Sequence, residues 1–354
     1  MNAQFTQHNL IFKQASGTSR GVLTTKETYL LEISKNGQKG IGECAIFRGL
    51  SYDDVPDYEE KLTWLCENIN LDFEVLKKEL LHYPSIIFGL EQALLNLEHG
   101  EDLYFPSDFT DGKDSIKING LIWMGNADFM QSQIEEKLAK GFDCIKLKIG
   151  VDWKSEKEII KKLREKFPKE QLELRVDANG AFSYEEATIV LQELADLGIH
   201  SIEQPIKKSQ VKTKKSQKTD EINSTDYCAP WNEMAKLCAE TPTPIALDEE
   251  LIGIIDFEEK KKLLETIKPQ YIILKPALVG GFSGSDEWIA IAESLGINWW
   301  ITSALESNIG LNAICQYTYT KKNPLPQGLG TGALFTNNFE THLQLEGDQM
   351  WHKK

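Results

Sequence analysis

Apolar and polar positions alternate in a repeating order over the larger, C-terminal part of the chain. From residue 116 onward, short apolar runs bounded by Gly, Pro or Asp are followed by longer amphipathic stretches. This pattern is typical of β-α units around a parallel sheet. With one exception, successive predicted strands lie about 26 to 29 residues apart, the length of one such unit. Their centres are Ile118, Leu147, Val176, Ile202, Leu247, Ile273 and Ile301.

The exception is a gap of about 45 residues between Ile202 and Leu247. It contains a polar, lysine-rich segment at 207–227 that has no periodicity. Such a composition predicts an exposed insertion whose lysines are solvated rather than functional. The regular spacing also predicts an eighth strand near residues 327–332, and eight units predict a closed barrel.

The pattern is different before residue 111. Alternating stretches at 25–33 and 39–47 predict antiparallel strands, and helical periodicity follows them. We therefore expect an α+β capping domain at residues 1–110 and a barrel domain at residues 111–334. The final segment, residues 335–354, could pack back against the capping domain.

Composition and charge limit the partners that the chain can have. Its 354 residues are 41% apolar and 26% charged, as in ordinary soluble globular proteins. The formal net charge of −15 argues against nucleic acid and anionic membranes as partners. An anionic substrate would therefore need compensation from a metal ion or a few lysines. The six scattered cysteines form no CxxC pair and no secretory leader is present, so we expect a cytoplasmic protein.

Two lysines lie on one face of the strand predicted around Leu147. Side chains alternate along a strand, so Lys146 and Lys148 point one way and their apolar neighbours the other. In a barrel, these lysines face the lumen near the carboxyl end of the strand, where the active sites of such barrels lie. An isolated KxK sequence is also common on solvated strands, so this pair alone does not identify a site.

Charged residues occupy the same end of the strands that follow. Asp177, Glu203 and Asp248 end three of them on the predicted inward face, and Lys275 ends a fourth. Each acid alone also fits a helix cap or a turn. Gathered at one end of a barrel, the charges would be costly to bury unless they compensate one another.

Three carboxylates on adjacent strands form an oxygen site that suits Mg²⁺, with Mn²⁺ as a substitute, and the six histidines show no metal-ligand spacing. The metal would bind a substrate carboxylate and take up the charge that builds as a proton leaves the neighbouring carbon. Beside Lys146 the ammonium form of Lys148 is disfavoured, so Lys148 is the predicted base. We expect a metal-dependent enzyme for a small-molecule carboxylate, with its oligomeric state open.

As an ordered set, five motifs resemble those of the enolase superfamily over nearly the whole chain. They are KLK at 146–148, RVDANGAF at 175–182, IEQP at 202–205, LDEEL at 247–251 and LKPALVGG at 274–281. The resemblance implies an α/β fold, a modified (β/α)7β TIM-like barrel with an N-terminal α+β capping domain. It also implies an enediolate intermediate stabilised by Mg²⁺.

Within the superfamily the chain most resembles the o-succinylbenzoate synthase family. That family dehydrates 2-succinyl-6-hydroxy-2,4-cyclohexadiene-1-carboxylate in menaquinone biosynthesis. The resemblance implies Lys148 as the base, Lys275 as a cation on the opposite face and Lys146 as an assisting lysine. The implied metal ligands are Asp177, Glu203 and Asp248. The implied pocket and lid residues are Asn179, Ser303, Arg20 and Arg48.

Three other functions stay open. An N-acylamino acid racemase or a dipeptide epimerase on the same scaffold would exchange a proton between Lys148 and Lys275. Dipeptide epimerases carry an acidic DxD pair at the end of the eighth strand, whereas this chain has GLGTGALF at 328–335. A structural protein stabilised by the metal is the third alternative, although it would need the carboxylates and not the lysines.

Overall fold

Three β-sheets and eleven α-helices make up the described part of the chain, which in this computed structural model covers residues 1–18, 21–123, 127–209 and 231–353. The strands are β1 Asn2–Thr18, β2 Gly21–Lys35, β3 Gln38–Cys44, β4 Ser115–Lys117, β5 Gly120–Ile122, β6 Cys144–Lys148, β7 Glu173–Asp177, β8 Ser201–Glu203, β9 Ile245–Leu247, β10 Tyr271–Leu274, β11 Asn298–Ile301, β12 Leu343–Glu346 and β13 Gln349–His352.

Most of the helices alternate with the barrel strands, and three precede them. The helices are α1 Tyr58–Asn68, α2 Phe73–Glu79, α3 Pro84–His99, α4 Ala127–Ala139, α5 Trp153–Lys166, α6 Tyr184–Asp196, α7 Asn232–Glu240, α8 Phe257–Ile267, α9 Pro276–Val279, α10 Gly281–Ser294 and α11 Asn308–Thr320. A short 3-10 helix covers Glu249–Leu251. None of the described helices has the length and apolar character needed to cross a membrane.

The N-terminal part of the chain forms a three-stranded antiparallel sheet, in the order β1-β2-β3, packed against α1, α2 and α3. Side chains alternate along β2, so Tyr29, Leu31 and Ile33 are buried against these helices. The residues between them are only partly buried. Helix α3 lies directly on β3, because Gly42 has no side chain there. A Cβ atom on Gly42 would lie 2.0 Å from the carbonyl oxygen of Gly89.

A seven-stranded parallel sheet follows, in the order β5-β6-β7-β8-β9-β10-β11. The helices between the strands bury one apolar stripe each, as α5 does with Ile159, Ile160 and Leu163. These stripes and the outward side chains of the strands form the main core. The α/β barrel architecture expected from the alternating pattern is therefore confirmed.

The eighth barrel segment consists of two residues that join the edges of the sheet. Gln327 bridges in parallel to Ile118, and Gly328 bridges in parallel to Thr302 after β11. The amide of Asn119 donates to the Gln327 carbonyl at 2.9 Å, and the Gly328 amide donates to the Ile301 carbonyl at 2.8 Å. This segment lies at the start of the 327–332 range predicted for the last strand.

The first predicted barrel strand, around Ile118, is divided between two sheets. Residues Ser115–Lys117 pair antiparallel with β13, and only Gly120–Ile122 pair with β6. The chain changes partner at Ile118, whose amide donates to the Asp348 carbonyl at 2.8 Å. An apolar run identifies a strand without identifying its neighbour, which is why the sequence pattern merged the two.

The C-terminal segment contacts both parts of the molecule. Near its start, the Thr336 amide donates to the carbonyl of Ile11 in β1, at 2.8 Å. Its end forms the β12–β13 hairpin, which pairs with β4 next to the barrel. The division into domains at residues 110 and 334 stays a prediction.

The barrel lumen is filled below the level of the lysines. Arg175 on β7 is only 1% exposed, and its guanidinium carbon lies 4.2 Å from the centre of the Trp300 ring. The same guanidinium donates to the Pro326 carbonyl at 2.9 Å and to Glu173 at 2.7 Å. Trp300 packs with the inward side chains Ala246 and Ile273. This layer of side chains forms the floor of the cavity, and the cavity itself lies at the carboxyl ends of the strands.

Candidate active site

The candidate site begins with the two lysines of β6. Lys148 is the last residue of the strand and Lys146 lies two positions earlier, so both side chains leave the same face. The Lys146 ammonium donates to Glu203 at 2.6 Å, across β7. The Lys148 ammonium donates to Asp177 at 2.9 Å. The structure therefore brings both lysines to the acids at the carboxyl end of the barrel.

Three acids lie at the ends of adjacent strands. Asp177 ends β7 and is paired in register with Glu203, which ends β8, and Asp248 directly follows β9. Each is only 2% exposed. Three carboxylates this deeply buried need positive partners, because an uncompensated buried charge is very costly.

The lysine ammonium groups lie between these carboxylates. Lys146 contacts Asp177 at 3.5 Å as well as Glu203, and Lys275 forms an ion pair with Asp248 and lies 3.8 Å from Glu203. Lys146 and Lys148 approach the acids from the β6 side, and Lys275 approaches from the β10 side. The structure thus brings together all six residues that the sequence placed in the catalytic and metal sets.

Buried acids and lysines change each other's proton affinity. Burial raises the pKa of Asp177, but the Lys148 and Lys146 ammonium groups outweigh this and hold that pKa well below its usual range. Burial lowers the pKa of Lys275, but Asp248 and the other acids outweigh this and hold its pKa above the usual value. The pKa of Lys146 is raised for the same reason. Lys146 and Lys275 are therefore cations at neutral pH.

The loop after β8 holds Asp248 in place through Gln204. Gln204 has a left-handed backbone, with φ of 39°, and its side chain is fully buried. Its side-chain oxygen accepts from the Asp248 amide at 3.3 Å and from the Glu250 amide at 3.2 Å. Strain of this kind in a non-glycine residue persists where the surroundings impose it, and it is frequent at active sites.

Asn179, a predicted pocket residue, contacts the predicted base. Its side-chain oxygen accepts from the Lys148 ammonium at 2.6 Å, and its amide group donates to Glu249 at 3.1 Å. The backbone of Asn179 is left-handed, with φ of 44°, a conformation that Asn tolerates better than most residues. Asn179 therefore links the loop after β7 to the lysine.

Ser303 lies in the same pocket, on the wall after β11. Its hydroxyl group is 2.6 Å from that of Thr331, which comes from the segment after the eighth barrel strand. Thr331 and the other apolar and polar wall residues were not predicted from the sequence. These further wall residues are Phe47, Leu50, Leu121, Trp123, Thr302 and Thr331.

The two predicted lid arginines have different outcomes. Arg20 lies outside the described residues. Arg48 turns away from the pocket, because its guanidinium forms ion pairs with Asp54 at 2.8 Å and with Glu27. Its neighbours Phe47 and Leu50 line the pocket instead. Phe47 packs in one apolar cluster with barrel residues such as Leu278, so this loop of the N-terminal domain covers the barrel mouth.

Comparison with known proteins agrees with this geometry. The family model described as enolase C-terminal domain-like matches residues 130–221 and 226–349. The chain belongs to the enolase superfamily. Among superfamily members, the o-succinylbenzoate synthase of Desulfotalea psychrophila is 42% identical and covers 98% of each chain. The crystal structure of MenC from that organism has a TM-score of 0.84 and 40% identity, and it covers 99% of each chain.

Two other enolase-superfamily members are more distant. The N-succinylamino acid racemase of Thermus thermophilus is 33% identical over 83% of this chain and 75% of its own. The crystal structure of a dipeptide epimerase from Enterococcus faecalis, complexed with Mg and the dipeptide L-Leu-L-Tyr, has a TM-score of 0.80 and 18% identity. It covers all of this chain and 97% of its own, and it shows the shared fold.

Proposed function

We propose that this enolase-superfamily chain is an o-succinylbenzoate synthase. It dehydrates 2-succinyl-6-hydroxy-2,4-cyclohexadiene-1-carboxylate to 2-succinylbenzoate in menaquinone biosynthesis. The observation that carries the proton abstraction beside a carboxylate is the arrangement of Lys148 and Lys275 on opposite sides of one buried set of carboxylates. Likeness to the Desulfotalea enzyme over nearly the full length supports this choice of substrate.

The reaction uses the lysines in different protonation states. Lys148, in its neutral form, removes the proton from the carbon beside the substrate carboxylate, and the electron pair moves into an enediolate. The proton on Lys148 then passes to the hydroxyl group, which leaves as water while the ring double bond forms. Lys275, held as an ammonium by Asp248, faces the intermediate from the opposite side. Lys146 offers positive charge to the substrate carboxylate.

We propose Asp177, Glu203 and Asp248 as ligands of Mg²⁺, for which Mn²⁺ can substitute. All three donors are carboxylate oxygens, which suit a hard cation. One of them, Glu203 Oε1, is buried and has no hydrogen-bond partner. A divalent cation held there would supply countercharge to the substrate carboxylate and the enediolate. Ser303 and Asn179 are proposed to contact the substrate.

Turnover of the cyclohexadiene carboxylate with Mg²⁺, followed by the loss of its absorbance, tests the proposed function. Removing a general base lowers rates by about 10² to 10⁴-fold, so Lys148→Ala is expected to lose dehydration. Lys275→Ala is also expected to lose it, because the positive charge that faces the intermediate is removed. Lys154→Ala, on the exposed face of α5, is the matched control and keeps full activity. Near-normal turnover by Lys148→Ala would contradict the assigned base.

A racemase acting on N-acylated amino acids is the second candidate. Amines on both sides of a metal-bound carboxylate suit proton exchange, and the Thermus relative carries that activity in its name. Incubation of an N-succinyl amino acid in deuterated water distinguishes the candidates. Deuterium at the α-carbon without turnover of the cyclohexadiene substrate would favour the racemase. The absence of any acidic residue at 328–335 argues against a dipeptide epimerase.

A further inference from the structure

A second group of ligand-type side chains lies away from the active-site pocket. It consists of Asp102, which follows α3, His342, which precedes β12, and His352, which ends β13. None of the three lines the pocket that holds the catalytic lysines. The group lies where the C-terminal hairpin contacts the end of the longest helix of the N-terminal domain.

The ligand atoms of this group converge on one point. Asp102 Oδ2 lies 2.6 Å from His342 Nδ1 and 3.1 Å from His352 Nε2. One ligand atom from each residue lies within 4.8 Å of both others. The backbone carbonyl of Asp102 is held by Asn312 and Gln316 of α11, at 2.9 and 2.8 Å. The carboxylate is therefore fixed by the fold rather than placed on a free loop.

We propose that Asp102, His342 and His352 bind a divalent transition-metal ion of the zinc class. Two imidazole nitrogens and one carboxylate oxygen are a common ligand set for zinc, with water in the fourth position. Ligands at zinc distances of about 2.0 to 2.2 Å in a tetrahedron lie about 3.3 Å apart. The observed separations of 2.6 and 3.1 Å need only small side-chain rotations to reach that value.

The two histidines of the group differ in burial. His352 is fully buried, whereas the side chain of His342 is 44% exposed and leaves one side open to solvent and to an entering ion. The second carboxylate oxygen, Asp102 Oδ1, is buried and has no hydrogen-bond partner. An ion bound by both carboxylate oxygens would satisfy it. Bound metal would tie the β12–β13 hairpin to the end of α3.

Zinc retention by the full-length protein tests this site separately from the catalytic one. Wild type and variants are dialysed against micromolar Zn²⁺ with Mg²⁺ in large excess, and bound zinc is measured by elemental analysis. Wild type and Asp177→Asn are each expected to retain one zinc per chain. His342→Gln is expected to bind zinc at least about 100-fold more weakly, since even outer-shell losses cost 10- to 100-fold. His99→Gln, an exposed histidine near the same helix end, keeps wild-type affinity.

A second measurement uses stability. Zinc is expected to raise the melting temperature of wild type and His99→Gln but not of His342→Gln, because binding only to the folded state stabilises it. Equal zinc retention by wild type and His342→Gln would overturn the proposal. Failure of wild type to retain zinc would also overturn it, and the group would then only connect the hairpin to the end of α3 through hydrogen bonds.

Discussion

Asn179 combines a strained backbone with a contact to the catalytic lysine, and two substitutions separate these features. Asn179→Ala removes the acceptor for Lys148 and replaces Asn, which tolerates a left-handed backbone at φ of 44°, by a residue that tolerates it less well, so we expect about tenfold lower turnover and about 1 kcal/mol lower stability. Asn179→Gly removes the same side chain but tolerates the backbone. It is expected to lose turnover equally and to keep wild-type stability in urea unfolding. Full activity in the glycine variant would contradict a role for the side chain.

The directions of individual side chains were predicted mainly from the alternation of residues along a strand. The inward parity of Lys146 and Lys148 follows from a period of two and needs no knowledge of the tertiary fold. The wall residue Phe47 could not be predicted in this way, because it reaches the pocket from another domain. The orientation of Arg48 depends on Glu27, a surface acid 21 positions away, which no periodic pattern connects to it.

At the element scale, the close contact between β3 and α3 depends on glycine. Gly42→Ala would place a Cβ 2.0 Å from the Gly89 carbonyl, a backbone atom that cannot move without shifting the helix. We expect a loss of about 1 to 3 kcal/mol in the free energy of unfolding, measured in urea. Lys39→Ala, exposed on the same strand, is the matched control. Unchanged stability of Gly42→Ala would show that the helix shifts without cost.

Glu91 of α3 caps the first turn of α10 and makes this contact between domains dependent on pH. Its carboxylate accepts from the Phe282 amide at 2.5 Å and from the Ser283 amide. Burial is the main cause that raises its pKa, to about 7, and the hydrogen bonds from Ser283 and Phe282 only partly oppose it. The folded state therefore holds this proton more tightly than the unfolded state, whose Glu pKa is 4.5. Its contribution to stability is fully present below pH 4.5 and is lost as pH rises through about 7.

The loss expected from Glu91 is about 3 kcal/mol across this pH window. Unfolding in urea at several pH values measures it. In Glu91→Gln the free energy of unfolding should fall less steeply between pH 4.5 and 8 than in wild type. Glu98→Gln, exposed on the same helix, should keep the wild-type slope. Parallel slopes for wild type and Glu91→Gln would refute the assigned shift.

Element order was predictable from the sequence, but strand partners were only partly so. Parallel strands linked by helices have neighbours that follow from chain order, which is why the β6 to β11 series matched. Ser115–Lys117 instead pairs with a hairpin more than 230 residues later in the chain, at Gln349 to Trp351. An isolated apolar run contains no information on such a distant partner.

For the whole molecule, Mg²⁺ is expected to stabilise the fold and to be required for turnover. Chelation by EDTA should abolish dehydration, and Mg²⁺ at about 100 times its dissociation constant should add about 2.7 kcal/mol of stability. Asp248→Asn should lose most of this gain in a thermal unfolding assay. Stabilisation of wild type without turnover of either substrate class would favour a structural protein.

The overall architecture was predicted from the sequence because repeated spacing and five ordered motifs specify a barrel with a cap. The Asp102, His342 and His352 group was not, since its first two members lie 240 positions apart. The six histidines show no short spacing of the kind that identifies a metal site in a sequence. Only the folding of the C-terminal hairpin onto the barrel brings these residues together.

In the described part of the chain, the packed layer formed by Arg175 and Trp300 fills one end of the barrel lumen, and the pocket lies at the other end. Product must depart by the passage through which the next substrate molecule arrives, because the opposite end of the barrel is filled. Phe47 and Leu50 line the pocket at that end, so we expect movement of this loop to accompany substrate entry and product release. At saturating substrate, slow opening would then limit the rate even when proton transfer is fast.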